Sequence, residues 1–337
     1  MYLTDKKVAV LGAAGAIGSN IVQDLLSTQT ASNVVMFDPF EKGLEGAAEE
    51  IAHCGYPGAR VTRTTSIAEA LDGAAYVISS GGAPRKEGMT REDLLRGNCE
   101  IARDLGVAIR ESGSLAEFVV VIFNPADITG LTVMVHSGLR PGCVSTLAAL
   151  DSTRLQSALA QHFAVAQDDV TGCATYGGHG EEMAVFLTPI AVQGVALAEV
   201  LAGESVNGRG LSADEWAGIK ERVRKGGARI IQLRGRSSFQ SPAHQSVEML
   251  RARIRNGGYP WPCGCYFGAG PWDHIMMAAD TAWAPEGISG SVPEASADDL
   301  AALQKSAAHV RALRDEVIAA GLLPPIAEWG TVNPNLA

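Results

Sequence analysis

The 337-residue chain lacks several features that would assign it to a special class of protein. It has no excess of positive charge. A net charge of −10 argues against a nucleic-acid partner, while a few local arginines can still bind an anionic small molecule. No uninterrupted apolar segment approaches the ~18 residues of a membrane span. The N-terminal residues also lack the apolar core and cleavage site of a signal peptide, so we expect neither membrane insertion nor secretion.

Cysteine is scarce as well. The six cysteines, at positions 54, 99, 143, 173, 263 and 265, show no spacing typical of a disulfide framework, which predicts a cytoplasmic location. Cys263 and Cys265 form a single Cys-x-Cys pair. Because a zinc site needs a second pair at ligand spacing, we interpret these two as thiols and expect no metal.

The rest of the composition is that of an ordinary globular protein, with 47% hydrophobic and 19% charged residues. In the first half, the apolar runs KKVAVLG, NVVMFD, YVISS and EFVVVIF alternate with longer amphipathic segments. This alternation predicts right-handed βαβ crossovers and a parallel sheet, and a run such as VVVIF suits a sheet covered on both faces. After about residue 150, helical segments dominate and mix with strand-like pieces such as CGCYFG and DHIMMAADTAW, which predicts an α+β architecture.

The predicted helices carry apolar residues at the spacing that buries one face. They cover residues from Ala16 onward, Lys42–His53, Arg91–Glu111, Ile128–Leu139, Asp151–Phe163, Ala213–Leu233, Gln245–Arg255, and a terminal helix that is capped by Ser296 and closed at Gly321. No internal repeat or low-complexity linker separates the halves. We therefore predict two domains, 1–150 and 151–337, that share an extensive interface.

The first apolar run continues into GAAGAIG, which places Gly12, Gly15 and Gly18 between a strand and a helix. Such a turn lets the backbone approach a pyrophosphate, although glycine-rich turns also occur for packing alone. Asp38 ends the second run, twenty residues beyond Gly18, where it can accept hydrogen bonds from both ribose hydroxyls and would repel a 2′-phosphate. These features predict a Rossmann-type, doubly wound α/β fold that binds NAD rather than NADP through Gly12, Gly15, Ile17, Gly18 and Asp38.

Three further segments carry polar groups suited to chemistry. Asn124, before Pro125 at the end of a core strand, fits either an Asx-type turn or an amide directed into the ligand crevice. Asp151 and Arg154 lie on one face of a helix, as an ordinary surface pair would. His179, between glycines in YGGHG, is by itself more typical of a structural histidine. Hydrogen-bonded to an aspartate, it would instead be a general acid and base.

Taken in order, GAAGAIG, FD, APRKEGMTREDL, IFNP, LDSTR and YGGHG resemble the motifs of the malate and lactate dehydrogenase family, and more closely those of its malate dehydrogenase branch. The similarity runs almost end to end. It implies NAD as cofactor, the dicarboxylates malate and oxaloacetate as substrates, a place in the tricarboxylic acid cycle and a homodimer or homotetramer. The segment AAEEIAHCG resembles the family's dimer-forming helix, although an ordinary packed helix is an equal alternative.

The resemblance also implies roles for individual residues. Arg154 resembles the arginine that binds the C1 carboxylate with its planar, bidentate fork. His179 resembles the acid–base residue, with Asp151 holding it. Arg91 resembles the loop arginine that polarises the C2 oxygen and stabilises the negative charge developing there.

Two asparagines have counterparts in the family. Asn124 resembles the asparagine beside the substrate and the nicotinamide. Asn98, in RGNCEIA, resembles a cofactor-side asparagine, with a polar residue on a helix face as the alternative. The loop from Gly81 to Asp93 resembles the family's lid and is expected to close over substrate and exclude water.

Arg85 separates the two branches. Malate dehydrogenases place an arginine there to pair with the second carboxylate, whereas lactate dehydrogenases carry an uncharged residue, often glutamine. A desolvated carboxylate opposite a neutral side chain costs roughly 2–5 kcal/mol, so one residue suffices to choose the substrate. Lys86, beside it, is expected to be solvated.

Two segments depart from the family pattern. LRGRSSFQSPAHQ lies where the family supplies a small polar residue near the nicotinamide, but its bulky Phe239 and Gln240 leave Ser238 only a candidate for that contact. The segment GGYPWPCGCYFGAGPW matches no pattern, and we predict no role for it.

The predicted reaction is hydride transfer from C2 of (S)-malate to NAD⁺ while neutral His179 takes the hydroxyl proton. Three alternatives differ from it in what they require. A lactate-type 2-hydroxy acid dehydrogenase would need a neutral residue at position 85. An NAD- and metal-dependent family 4 glycosidase would need cysteine and histidine ligands for its metal, and a non-catalytic NAD-binding protein would need none of the charged groups.

Overall fold

The alternating pattern of the first half forms a regular succession of strands and helices. The computed structural model describes residues 1–83, 91–113, 116–180 and 182–337, and the side chain of Arg91 lies outside that description. The elements of this half are β1 Val8–Leu11, α1 Ala16–Ser27, β2 Asn33–Phe37, α2 Glu41–His53, β3 Arg60–Thr64, α3 Ile67–Leu71, β4 Tyr76–Ser79, α4 Arg91–Glu111, β5 Phe118–Val121, α5 Ala126–Ser137 and β6 Val144–Thr146.

The second half mixes helices with strands, as predicted, and several of its strands are only two residues long. Its elements are α6 Ala149–Phe163, β7 Val170–Thr171, β8 Thr175–Tyr176, β9 Ala184–Val185, β10 Ala191–Val192, β11 Val195–Ala196, α7 Leu197–Leu201, α8 Ala213–Arg224, α9 Gly226–Arg234, α10 Gln240–Arg255, β12 Cys263–Phe267, β13 Ile275–Ala284, β14 Gly287–Ser291, α11 Ala297–Ala319 and α12 Trp329–Val332.

Among the described residues, nine strands form one sheet in the order β14-β13-β12-β6-β5-β4-β1-β2-β3. The strands from β6 to β3 are parallel and have the doubly wound Rossmann order, so the predicted α/β fold is confirmed. From the second half, β12, β13 and β14 continue the sheet as antiparallel strands. The strand order reverses between β1 and β4, where a sheet of this kind binds its ligand.

The central strands are buried on both faces. In β5, Phe118 and Val120 face one hydrophobic core, and Val119 and Val121 face the other. This alternation follows from the pleat, which directs successive side chains to opposite sides. Helices α1 and α2 cover one face, while α4 and α5 cover the other. Both faces are therefore apolar, as the continuous run VVVIF requires.

Helices of the second half complete both layers. Val247 and Leu250 of α10 belong to the core on the α1 side, and Leu303 and Val310 of α11 belong to the core on the α5 side. The second half also has a core of its own around Leu159 and α8. The two halves thus share the sheet and both of its cores.

The structure differs from the sequence-based prediction at several elements. The short helices α3 and α7 were not predicted, and α10 begins at Gln240 rather than at Gln245. Strand β3 was not predicted, because its sequence RVTRT has no apolar run and lies at the exposed edge of the sheet. The helix predicted from Ala213 to Leu233 is two helices, interrupted at Lys225. A Cβ on Gly226 would lie 2.6 Å from Arg154 Cδ, so the interruption brings a glycine against that arginine. No helix in the described part of the chain is both long enough and apolar enough to cross a membrane.

The antiparallel extension joins the parallel strands at Gly264. This residue pairs with Thr146 of β6, and its carbonyl accepts a hydrogen bond from Ser145 Oγ at 2.9 Å. A Cβ on Gly264 would overlap Thr146 Oγ1 and lie 2.9 Å from Thr146 Cβ. Glycine is therefore required at this junction by close approach of the two strands.

We expect Gly264→Ala to destabilise the protein by roughly 1–3 kcal/mol, the usual range for overpacking a core. Thr146→Ala removes the overlapping hydroxyl, so the glycine substitution should cost less in that background. Urea unfolding of the wild type, both single variants and the double variant measures the coupling. Gly218→Ala on α8 is the control and should be neutral or stabilising, because a Cβ there meets none of the described atoms within 4 Å. Equal costs in the two backgrounds would contradict the proposed contact.

Candidate active site

The glycine-rich turn between β1 and α1 approaches the chain after β4 closely. Gly12 has a φ of +83°, and a Cβ on it would lie 2.8 Å from Gly81 Cα. A Cβ on Gly18 would overlap the Gly12 carbonyl, so Gly18 allows the helix to pack on the turn. Gly15 is the N-cap of α1, and no side chain in the described part of the chain caps this helix. The first N–H groups of α1 are therefore available to an anion, which the helix dipole also favours.

Asp38 lies immediately after β2, beside this turn. Its Oδ2 accepts a hydrogen bond from the Ala14 N–H at 3.1 Å, and its Oδ1 accepts one from the Phe40 N–H at 3.0 Å. Each oxygen keeps a further lone pair for a hydroxyl group. A cavity of about 260 Å³ adjoins the turn, with Gly12, Ile17 and Gly18 in its wall. The glycine cradle, the uncapped helix and the half-buried carboxylate fit a dinucleotide with its ribose toward Asp38.

Asn98 and Asn124 lie together beyond the ends of β4 and β5. Asn98 is buried on α4, and its Oδ1 accepts a hydrogen bond from the Ala83 N–H at 2.8 Å. Its Nδ2 donates to the backbone carbonyl of Asn124 at 2.6 Å. Asn124 is exposed, and its peptide bond to Pro125 is cis. The contacts of Asn98 therefore tie the two loop ends together and fix the backbone of Asn124 at the edge where ligands bind.

His179, Asp151 and Arg154 converge, although 28 positions separate the histidine from the aspartate in sequence. His179 Nδ1 donates to Asp151 Oδ2 at 2.6 Å, because an ionised carboxylate can only accept. The other oxygen, Oδ1, accepts from Arg154 Nη1 at 2.7 Å. Asp151 is buried, with 3% of its side chain exposed, whereas 25% of His179 and 23% of Arg154 remain exposed. Asp151 and Arg154 thus form an ion pair with a buried carboxylate, and not an ordinary surface pair.

Packing around two glycines holds the histidine loop in place. A Cβ on Gly177 would overlap Ser306 Oγ, and one on Gly178 would lie 2.6 Å from Val310 Cγ2. The Gly178 N–H donates to Ser306 Oγ at 2.9 Å, which joins the loop to α11. Gly177 also exchanges two backbone hydrogen bonds with Ala278 of β13. The sequence YGGHG therefore brings His179 against the sheet at a position that larger residues would not reach.

A buried polar contact connects the element that carries Asp151 with the strand that precedes His179. Ser152 Oγ lies 3.1 Å from Thr175 Oγ1 and accepts a hydrogen bond from the Thr175 N–H at 3.0 Å. Both residues are buried. Because Ser152 is adjacent to Asp151 and Thr175 lies in β8, this contact fixes the separation between the carboxylate and the imidazole.

Opposing charges set the proton affinity of His179. The Asp151 carboxylate raises the pKa of the imidazole above its ordinary value, and partial removal from water opposes this effect. Asp127 raises the pKa further, while the Arg154 guanidinium lowers it. The net direction is upward, so the charged imidazole is stabilised and its Nδ1 remains bound to Asp151. The other nitrogen, Nε2, is left for proton exchange.

Asp127 is a part of the site that the sequence analysis missed. It is buried near the start of α5, and its Oδ2 accepts the backbone N–H of His179 at 2.7 Å. Burial raises the pKa of Asp127 to about 6, although the hydrogen bond from His179 acts against this rise. The signal was its position three residues after Asn124 in FNPAD, but only the fold shows that α5 begins beneath the histidine loop.

Arg154 also borders a cavity of about 710 Å³ between α6 and the helices α8 to α10. Arg222, Arg229 and His244 line the same cavity, and no carboxylate is among the described residues of its wall. This excess of positive charge suits an anionic ligand. Trp261, from the aromatic segment for which the sequence predicted no role, is also in the wall.

The remaining predicted positions have different outcomes. Ser238 lines both the cavity beside Arg154 and the smaller cavity at the glycine-rich turn. Arg85 lies outside the described residues, as does the side chain of Arg91. The structure therefore assembles two groups of predicted residues. His179, Asp151 and Arg154 form one, and the glycine-rich turn and Asp38 form the other.

A Rossmann-order sheet with a fitting dinucleotide site and a carboxylate-bound histidine defines a nucleotide-dependent oxidoreductase. The family model of the lactate/malate dehydrogenase NAD binding domain matches residues 6–145, and that of the alpha/beta C-terminal domain matches residues 148–312. The malate dehydrogenase of Picrophilus torridus is 32% identical over 270 residues, which cover 77% of this chain and 79% of that protein. The chain belongs to the lactate/malate dehydrogenase family, and its cofactor is NAD.

Solved structures of both activities are similar to this chain. The malate dehydrogenase of Cryptosporidium parvum is 26% identical, with a TM-score of 0.83 over 94% of this chain and 100% of that one. The lactate dehydrogenase of the same organism, complexed with lactic acid and β-nicotinamide adenine dinucleotide, is also 26% identical, with a TM-score of 0.83 over 93% of this chain and 98% of that one. These comparisons establish an oxidoreductase of this family without choosing between malate and lactate.

We expect Asp151→Asn to lower the pKa of His179, because the carboxylate is the largest influence that raises it. An NMR titration of the histidine ring protons in both proteins measures the change. Asp24→Asn is the matched control, since the Asp24 carboxylate lies 4.0 Å from His244 Nδ1 and belongs to a different histidine. An unchanged His179 titration in Asp151→Asn would show that the hydrogen bond does not control this group.

Asp127→Asn tests the raised pKa of the second carboxyl. At pH values between the ordinary pKa of 3.8 and the folded pKa of about 6, Asp127 binds a proton when the protein folds. The wild type therefore loses stability as the pH rises from about 4 to about 6. Asparagine does not titrate, and its carbonyl can still accept the His179 N–H. The stability of the variant relative to the wild type should therefore rise with pH in this window, by at most roughly 1.4 kcal/mol per pH unit. Urea unfolding at several pH values measures it, and a constant difference would refute the assignment.

Proposed function

We propose that the protein is an NAD-dependent malate dehydrogenase that interconverts (S)-malate and oxaloacetate. The observation that carries the proposal is the shared Asp151 carboxylate, which joins an acid–base imidazole to a carboxylate-binding guanidinium. The choice of a dicarboxylate depends on the arginine at position 85 of the sequence. The cationic cavity beside Arg154 and the 32% identity to a malate dehydrogenase support it.

Bound NAD supplies the acceptor for the hydride that leaves C2 of the hydroxy acid. His179 performs the accompanying proton transfer. In oxidation, neutral His179 takes the hydroxyl proton on Nε2, because Nδ1 carries the proton that is donated to Asp151. In reduction, the protonated imidazole returns that proton to the forming hydroxyl. Asp151 stabilises the charged form in both directions and keeps the ring in one orientation.

Arginines hold and polarise the acid. Arg154 binds the C1 carboxylate with the guanidinium N–H groups that do not donate to Asp151. Arg91 polarises the C2 oxygen and stabilises charge developing there, and Arg85 pairs with the second carboxylate. We propose that the segment from Gly81 to Asp93, whose last residues belong to the first turn of α4, closes over the substrate and excludes water, which strengthens each of these interactions.

The cofactor residues are proposed on the same basis. Gly12, Gly15, Ile17 and Gly18 form the backbone cradle for the pyrophosphate, and Asp38 binds the ribose hydroxyls. Asn98 positions Asn124, which lies beside the nicotinamide and the substrate. Ser238 is a candidate for a polar contact in the same space, because it borders both cavities.

The proposal extends to organisation and setting. Residues 1–150 form the NAD-binding domain and residues 151–337 the substrate domain of a cytoplasmic enzyme of the tricarboxylic acid cycle. We propose a homodimer or homotetramer in which α2 is an interface helix. This helix buries Leu44 and Ile51 in its own subunit and exposes Glu45, Glu49 and Glu50.

A lactate-type 2-hydroxy acid dehydrogenase is the main competing function, since both activities occur among the similar structures. A panel of 2-oxoacids assayed with NADH and with NADPH at 340 nm distinguishes the two. Oxaloacetate with NADH should have the highest kcat/KM. Pyruvate as the preferred substrate would refute the proposal, and no turnover of any 2-oxoacid would favour a non-catalytic NAD-binding protein.

Arg85→Gln should lower kcat/KM for oxaloacetate by about 30-fold to several thousand-fold, because roughly 2–5 kcal/mol is lost when a buried charge is left unpaired. Turnover of pyruvate should improve, since it has no second carboxylate to strand. Lys86→Gln removes a neighbouring charge of the same sign and is the matched control, with little change expected for either substrate. An unaltered kcat/KM for oxaloacetate in Arg85→Gln would show that another residue selects the dicarboxylate.

A further inference from the structure

The cavity at the glycine-rich turn has walls from opposite halves of the chain. One wall is the turn from Gly12 to Gly18 together with Ser80, and the other is the segment 236–239, which follows α9. Of the described residues in these walls, Arg236 alone carries a formal charge, and no carboxylate is among them. A single cation therefore faces the turn that is shaped for a pyrophosphate.

Arg236 is held at this position by an aromatic ring. Its guanidinium carbon lies 4.4 Å from the centroid of the Phe239 ring, a distance typical of cation–π contacts. Gly235 ends α9 with a φ of +70°, which turns the chain toward the cavity immediately before Arg236. Phe239 is half-buried, while Arg236 remains exposed and accessible to a ligand. The bulky Phe239, a departure from the family pattern, thus supports a charged side chain.

The glycine-rich turn by itself does not neutralise the charge of a pyrophosphate. The N-terminus of α1 contributes the equivalent of about half a positive charge, whereas a pyrophosphate diester carries two negative charges. No acidic residue in the first turn of α1 opposes binding, but the chain as a whole has a net charge of −10. A guanidinium group forms short, charge-assisted and often bidentate hydrogen bonds to phosphate oxygens.

We propose that Arg236 is a cofactor-binding residue that pairs with the pyrophosphate of NAD. The second half of the chain thereby closes the dinucleotide site with a cation that the glycine-rich turn itself does not contain. The inference depends on the cofactor, which family membership establishes, and not on the identity of the 2-hydroxy acid.

The test compares two arginines that contact the same ring. The guanidinium carbon of Arg234 lies 4.7 Å from the Phe239 centroid, and its Nη1 donates to Gln240 Oε1, but Arg234 is not in the cavity wall. NADH binding, measured by fluorescence titration without substrate, should weaken roughly tenfold or more in Arg236→Gln, the loss expected for one charge-assisted hydrogen bond. Arg234→Gln removes the same charge from the same cluster and should change the Kd by less than about twofold. Equal losses in the two variants would overturn the proposal.

A ligand series locates the contact on the cofactor. ADP-ribose contains the pyrophosphate and should lose affinity for Arg236→Gln by the same factor as NADH. Adenosine contains no phosphate and should bind both proteins equally, which also reports that the site remains folded. Arg236→Lys, which retains the charge, should restore part of the affinity. A comparable loss for adenosine would mean that Arg236 acts through the structure of the segment, and the proposal would fail.

Discussion

The buried carboxylate of Asp151 is the interaction on which the site depends. Removal of a carboxylate from water is costly unless charges and hydrogen-bond donors compensate it, and here each oxygen has one cationic or polar partner. The same group therefore orients the imidazole of His179 and the guanidinium of Arg154. Their properties are coupled through it: Arg154 lowers the proton affinity of His179, and a ligand carboxylate on Arg154 would offset that effect.

The fold supplies this arrangement from three directions. Helix α6 carries Asp151 and Arg154, the loop after β8 carries His179, and α5 places Asp127 beneath that loop. The glycines at 177 and 178 allow the loop to pack against α11 and the sheet, where larger residues would collide. The dinucleotide site forms independently at the β1–β4 edge. The two sites adjoin at Ser238, which lines both the cavity beside Arg154 and the cavity at the glycine-rich turn.

The sequence predicted those parts of the fold that depend on short, local patterns. The strands β1, β2, β4 and β5 are continuous apolar runs, and the glycine-rich turn requires glycine because its backbone approaches another segment closely. Strand β3 was not predictable in this way, since an exposed edge strand needs no apolar run. The interruption at Lys225 was missed although Gly226 and Gly227, which follow it directly, have low helix propensity. The structure adds that a Cβ on Gly226 would lie 2.6 Å from Arg154 Cδ, so packing favours glycine there.

The sequence by itself determined the alternation of the main strands and helices in the first half, the class of fold, and the residue types available for hydride chemistry. Those properties follow from periodicity, composition and motif spacing, which act over a few residues. The tertiary structure decided which of these residues meet. The resemblance implied that Asp151 holds His179, and the fold brings Asp151 Oδ2 to 2.6 Å from His179 Nδ1. The contact of Asp127 with the histidine loop and the position of Arg236 opposite the glycine-rich turn were not predicted. Such contacts depend on how helices pack across a sheet, and no local pattern encodes that geometry.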